Sequence, residues 1–264
     1  MSDAAPRILC IANQKGGVGK TTTTINLAAA LASFGHRVLV LDLDPQGNAS
    51  TGFGILNAAR DISMYDVIAE SAPLRPSIQP TSIERIDIVP ATQDLSSIDL
   101  ELAGQRDRIT RLKNALQQAG TLEDDFLLID CPPSLNLLTV NALVAADGVL
   151  VPLQCEFFAL EGISQLLKTI GEIRQTTNPA LKTEGIVLTM YDSRNNLTND
   201  VEEDVRETLG SLVFKTVIPR NVRLSEAPSY GIPALKYDPK SSGSRAYIAL
   251  ADELCGRLPA LAAS

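Results

Sequence analysis

Residues 13–22 read NQKGGVGKTT. The common phosphate-binding loop follows G-x-x-x-x-G-K-[ST]. Aligned on Gly19, Lys20 and Thr21, the first glycine of that pattern falls on position 14, which is Gln14. Gly16 and Gly17 stand just beyond it, directly behind a second lysine, Lys15. Glycines in such a loop let the backbone curl until its amide N–H groups face phosphate oxygens, and the helix that follows turns its positive end toward them. The stretch therefore reads as a phosphate loop with a displaced glycine and an extra cation. On the residues alone, Lys15 is a solvated loop lysine.

The flanks place this loop in a fold. Arg7 to Ala12 (RILCIA) reads as a short buried strand, and Thr21 to Phe34 as a helix with Ile25, Ala28, Leu31 and Ala32 on one face and Gly35 as its stop. Arg37 to Asp42, Phe126 to Asp130, Gly148 to Leu153, Gly185 to Met190 and Val213 to Ile218 read as further aliphatic strands. Apolar residues at 95, 98, 102, 109, 112 and 116 have helical spacing, as do those at 160–173, 201–209 and 246–258. Near-continuous aliphatic strands alternating with helices predict an α/β fold: a mostly parallel twisted sheet with helices on both faces, as in a single-domain P-loop NTPase. Residues 54–94 carry little readable pattern, and Ser71 to Ser82 reads as surface loop. The whole chain, 1–264, is expected to be one domain, with 1–6 flexible and 259–264 a tail.

Composition narrows the function classes. The chain has 264 residues with no Trp, so its core is mostly aliphatic. A net charge of −8 argues against a surface coated for nucleic acid. The charge is uneven, however. Between 215 and 245, Lys215, Arg220, Arg223, Lys236, Lys240 and Arg245 face only Glu226 and Asp238, a local excess of +4. One His and four Cys without C-x-x-C spacing argue against zinc, and three of the cysteines lie in apolar segments, as reduced thiols of a cytoplasmic protein would. Residues 1–7 do not read as a secretory signal, and the apolar stretch Leu135 to Leu153 is broken by Asn136, Asn141, Asp147 and Pro152, which excludes a spanning helix.

In an open parallel sheet, ligands bind beyond the C-terminal strand ends. The first strand ends at the glycine loop, the second at DLDPQGN (42–48), and another at DCPPS (130–134). A lone strand-end carboxylate is usually a turn cap. Two such motifs beside a glycine loop with a lysine point to nucleotide phosphates. Lys20 is placed to reach the β- and γ-phosphates, the Thr21 hydroxyl to ligate Mg²⁺, and Thr22 to hold the α-phosphate, with Gly16, Gly17, Val18 and Gly19 completing the cradle.

KGGVGKTT, together with DLDPQGN, DCPPS, VPLQCEFFALEG and VIPRNVRLSEAPSYG, strongly resembles the ParA/Soj chromosome- and plasmid-partition ATPases of the deviant Walker A (MinD/ParA) group, from about Ile8 to Leu254. The resemblance implies ATP and Mg²⁺ as cofactors and weak basal ATP hydrolysis. It implies that Lys15 crosses to the nucleotide of a second copy, so that two subunits sandwich two ATP molecules. Asp44 would position the attacking water, which its place just past a strand end also allows. Asp130 resembles the carboxylate that holds a magnesium-bound water, and Asp42 a magnesium-shell or loop-orienting partner. Pro219 and Asn221 match the segment that cradles adenine, and Met190 lines that pocket.

The same resemblance implies non-specific binding of double-stranded DNA by the ATP dimer, through residues matching Arg194 and Arg223; Lys168, Lys236, Lys240 and Arg245 are weaker candidates. It also implies a ParB/Spo0J-like centromere-binding partner that stimulates hydrolysis, and a cytoplasmic, nucleoid-associated protein. Two other classes share the loop. Membrane-bound division regulators like MinD end in a basic amphipathic helix, whereas this chain ends LCGRLPALAAS, which reads against a membrane partner. No cysteine pair matches the cluster ligands of the nitrogenase iron protein, and Cys131 reads as a buried strand-end residue.

Overall fold

In the computed structural model, which describes residues 5–156 and 159–258, eight strands form one sheet in the order β3-β4-β2-β5-β1-β6-β7-β8. The strands are β1 (Arg7–Ile11), β2 (Val38–Asp42), β3 (Gln79–Pro80), β4 (Ile86–Val89), β5 (Phe126–Asp130), β6 (Gly148–Gln154), β7 (Lys182–Tyr191) and β8 (Val213–Pro219). Every neighbouring pair is parallel except β3 with β4. The longer helices are α1 (Lys20–Ser33), α6 (Arg111–Ala119), α7 (Leu137–Ala145), α8 (Ala159–Thr176), α9 (Asn196–Leu209) and α12 (Ser242–Arg257). Shorter ones are α2 (Asn48–Gly52), α3 (Met64–Ala69), α4 (Leu74–Ser77), α5 (Ile98–Glu101), α10 (Val222–Glu226) and α11 (Ala234–Tyr237). The first four residues of the expected flexible lead and the expected tail at 259–264 lie outside the described residues.

Successive strand residues point to opposite faces, and both faces are apolar. Leu9, Ile11, Val38, Val40, Phe126 and Leu128 pack with Ile25, Leu27 and Leu31 of α1 and with Tyr247, Leu250 and Leu254 of α12. Cys10, Leu39, Leu41, Leu127 and Ile129 pack on the other face with α3, α5, α6, α7, α8 and α9. The Tyr247 ring, inside the first layer, has its hydroxyl 3.1 Å from Thr23 Oγ1, so its one polar atom is satisfied. Cys10, Cys131 and Cys155 are buried free thiols, as their apolar segments suggest, and Cys10 Sγ lies 3.3 Å from Cys131 Sγ.

The strand order reverses at β1, which lies between β5 and β6. That is the switch point where a parallel sheet opens a crevice. β2, β5 and β1 are adjacent and in register, with Asp42 opposite Asp130 and Asp130 opposite Ile11, so the three motif-bearing ends share one edge.

Two expectations are corrected. The helical spacing over 95–116 belongs to separate pieces: a 3₁₀ turn at Gln93–Ser97, α5 and α6, with turns over 102–110 between them. Leu102 and Ile109 are two helical turns apart in number, so the period survives although the chain leaves the helix. The break is held from outside: Asp99 Oδ1 accepts from Leu137 N at 3.1 Å, and Asn141 accepts from Leu112 N at 3.2 Å and donates to Arg108 O at 2.8 Å. Ser71 to Ser82 is not all surface loop either, because α4 and β3 lie within it and Leu74 and Ser77 are buried.

Candidate active site

The loop after β1 wraps a cleft of about 320 Å³ lined by Gly16, Gly17, Gly19, Lys20, Thr21 and Thr22, with Asp44, Gln46, Asn48 and Pro133 across from them. Gly17 and Gly19 have φ of 77° and 88°, a left-handed backbone that side chains disfavour. Gly16 needs no such freedom; a Cβ there would meet only Pro133 at 3.8 Å. Gly19 leads directly into α1, whose first amides carry no side-chain cap and face the cleft as anion donors.

Lys20 is buried and folds back so that Nζ donates to Lys15 O at 3.0 Å. Burial pushes its pKa down, against the opposing pull of Asp130, Cys131 and Asp44. Thr21 Oγ1 donates to Asp130 Oδ2 at 2.8 Å, and Thr24 Oγ1 to Asp130 Oδ1 at 2.9 Å. Asp130 has no exposed surface, and its pKa is raised by burial first and by Asp42 next, against the two threonine hydrogen bonds. Asp42 is raised too, chiefly by burial, although Ser50 N and Oγ donate to Oδ2 at 2.8 and 2.7 Å and Asp44 N to Oδ1 at 3.2 Å. These three bonds orient the loop after β2. Asp44 is 7% exposed and accepts from Gln46 N at 3.0 Å.

Two buried carboxyl groups thus lie beside a threonine hydroxyl, with Lys20 turned inward next to them. A hard divalent cation fits that donor set: one hydroxyl, nearby carboxylates and room in the cleft for water, the coordination magnesium favours. A second cavity, of about 170 Å³, adjoins the first through Gly19, Thr22 and Met190 and is walled by Ile218, Pro219, Asn221, Leu224 and Tyr247. The two cavities are continuous, one lined by the glycine loop and the other by the end of β8 and the start of α10. Asn221 caps α10 by accepting from Arg223 N at 2.9 Å, and its amide donates to Ser242 Oγ at 2.8 Å, which fixes the pocket wall.

Residues 6–183 match a family described as AAA domain. The chromosome partitioning protein ParA of Caulobacter vibrioides is 54% identical over 258 residues, 97% of each chain. The chain belongs to the ParA/Soj partition ATPases. The sporulation initiation inhibitor protein Soj of Bacillus subtilis is 50% identical over 248 residues, covering 94% of this chain and 98% of that one. Among solved structures, a Mycobacterium smegmatis protein named cobyrinic acid a,c-diamide synthase, with bound ADP and magnesium, superposes with a TM-score of 0.81 at 39% identity, over 94% of this chain and 93% of that chain.

The second lysine of this ParA/Soj loop points the other way from the first. The Lys15 side chain is half exposed and pairs with Glu156 in the same chain, while its N–H donates to Asn13 Oδ1 at 3.0 Å. The basic candidates lie apart from the cleft. Arg194 follows β7 and donates to both oxygens of Asp192, at 2.9 and 2.8 Å. Arg223 on α10 pairs with Glu226 at 2.8 Å and Asp238 at 3.4 Å, with Tyr237 beneath it. Lys168, Lys236, Lys240 and Arg245 are exposed on α8, on α11, after α11 and on α12. Lys215 is the third residue of β8 and Arg220 follows that strand's end.

Sequence reasoning passed over Thr24, Ser50, Glu156 and Tyr247. Thr24 was within reach, since it lies one helical turn beyond Thr21 on α1. Ser50, Glu156 and Tyr247 reach the site through tertiary contacts that no local pattern announces.

Proposed function

We propose that this ATPase binds ATP with Mg²⁺, pairs with a second copy across the two nucleotides, and in that state holds double-stranded DNA without regard to sequence. Hydrolysis, stimulated by a ParB/Spo0J-like centromere-binding partner, releases it, and the protein works in the cytoplasm on the nucleoid. One observation carries the reading: of the two loop lysines, Lys20 is folded into its own cleft and Lys15 projects from it. One phosphate chain needs the first; the second, held outside the cleft only by an exposed ion pair with Glu156, can serve another nucleotide.

The residues then divide the work. Backbone N–H groups from Gly16 to Thr22, with Lys20, bind the phosphates and meet the charge that develops on the transferred group. Thr21, with Asp130 and Asp42 through water, would hold magnesium, which supplies charge neutralisation between the phosphate oxygens. Asp44 faces the same cleft and orients the attacking water. Met190, Pro219 and Asn221 hold the base. Arg194 and Arg223 supply phosphate contacts to DNA, and pairing doubles their number. No described helix is long and apolar enough to cross a membrane, and no membrane partner is part of this reading.

Light scattering with ATP tests it. Wild type should double in mass, and Lys15→Gln should stay single while still binding nucleotide. A Lys15→Gln protein that pairs as wild type does would refute the role given to this lysine.

A further inference from the structure

We infer that Arg60 is a positioning residue for hydrolysis, clamping the 44–47 loop so that Asp44 faces the cleft; this rests on the reading of Asp44 as the water-orienting group. Arg60 is far from the phosphate loop in sequence, and the residue is 7% exposed. Its guanidinium donates to Gly47 O at 3.3 Å, Thr51 Oγ1 at 2.9 Å, Ala91 O at 2.9 Å, and Ile55 O at 3.1 and 2.8 Å. One rigid fork thus joins the loop after β2, the turn after α2 and the segment after β4.

The clamp reaches Asp44 by two short routes. Gly47 N donates to Asp44 O at 2.8 Å, closing a turn whose far carbonyl Arg60 holds. Ala91, held by Arg60 through its carbonyl, donates its N–H to Ser50 Oγ at 3.0 Å; Ser50 donates to Asp42, and Asp42 accepts from Asp44 N. Gly47 has φ of 61°, and a Cβ built there would lie 2.1 Å from Arg60 Nη1. The glycine leaves the space that the guanidinium fills.

A purely structural role explains this poorly. Every hydrogen bond of the guanidinium goes to a carbonyl or a hydroxyl; buried Asp42 attracts its charge, but the cost of burial outweighs that pull, an unfavourable way to add stability. What the fork provides is geometry, and misplacing a reacting group by an ångström costs on the order of a hundredfold in rate.

The test is single-turnover ATP hydrolysis with magnesium, alongside ATP affinity, on the full chain. Arg60→Met keeps bulk and removes the donors; hydrolysis should fall about tenfold to a hundredfold while ATP affinity holds within about threefold. Arg60→Lys keeps the charge and part of the bonding and should fall between Arg60→Met and wild type; it gives the reading on its own if Arg60→Met does not fold. In an Asp44→Ala background, Arg60→Lys should slow hydrolysis no further, because both act through one group. Wild-type rates in Arg60→Lys, or a further equal loss on top of Asp44→Ala, would overturn the inference. Asp44→Ala hydrolysing at the wild-type rate would instead overturn the reading of Asp44 on which it rests.

Discussion

Thr21 Oγ1 lies 2.8 Å from Asp130 Oδ2, and Asp42 sits opposite Asp130 on the next strand. A helix terminus built to attract anions is thus tied to a buried acid pair built to attract a cation. In the proposed reading magnesium would take the place of the acid pair's proton and offset the phosphate charge, so magnesium and nucleotide should bind as one unit.

The acid pair predicts a pH dependence. Burial raises the Asp130 carboxyl, and Asp42 adds to it, so the folded protein holds a proton that the unfolded chain releases near the ordinary carboxylate value. The stability this gives is present at low pH and lost as pH rises through the folded value. Without nucleotide and magnesium, wild type should lose more thermal stability between about pH 5 and 8 than Asp130→Asn does, and magnesium with nucleotide should remove most of that loss. Parallel profiles for the two proteins would contradict the assignment.

Glu156 holds Lys15 within its own subunit, and the proposed pairing through Lys15 would break that contact. Both side chains are substantially exposed, so the contact is worth less than about 1 kcal/mol. Glu156→Gln should therefore lower the ATP concentration needed for half-maximal pairing by a factor of about two to five. A rise in that concentration would mean that Glu156 contributes to the paired state instead.

Asp44→Ala should trap the ATP-bound pair. Hydrolysis should drop by at least about a hundredfold, the lower range for a lost acid–base group, while ATP affinity holds. Turnover within a few-fold of wild type would assign the water to another residue.

Far from the site, Glu253 of α12 accepts from Lys215 N at 2.8 Å, Thr216 N at 2.9 Å and Arg257 at 2.7 Å. Burial raises its pKa, but these donors outweigh it and pull the carboxyl down to about 2. Its contribution is therefore full above the unfolded carboxylate value and lost as pH falls toward 2. Glu253→Gln should cost about 1–3 kcal/mol at pH 7, and chemical denaturation should show the gap to wild type closing below about pH 4.

How much was legible follows from where the physics is local. Aliphatic runs such as RVLVLD and FLLID are buried on both faces, and that requirement shows in composition. The glycine loop was legible because close backbone approach and positive φ demand Gly17 and Gly19. Residues 54–94 were opaque because β4 is four residues long, β3 has two including Pro80, and α3 is a short helix; its capping box, Ser63 with Asp66, was the signal available. α7 showed no period because nearly all its residues are buried, and Asn136, which caps it by accepting from Thr139 N at 3.2 Å, was its one local mark. Arg60 could not be read at all, since its bonds reach from residue 47 to residue 91.

DNA binding compared under ATP, ADP and no nucleotide tests the central claim most directly. Arg194 and Arg223 are exposed but occupied by carboxylates of their own chain, so under the proposed function one subunit would offer few contacts and a pair twice as many. Wild type with ATP should bind any duplex, and log K should fall with log salt with a slope of about −3 to −4 if each subunit makes two contacts. It should bind far more weakly with ADP or no nucleotide. Arg223→Glu and Arg194→Glu should still pair with ATP yet leave DNA free at moderate salt. Equal binding under all three nucleotide conditions, or charge-reversed pairs that hold DNA as wild type does, would contradict the account.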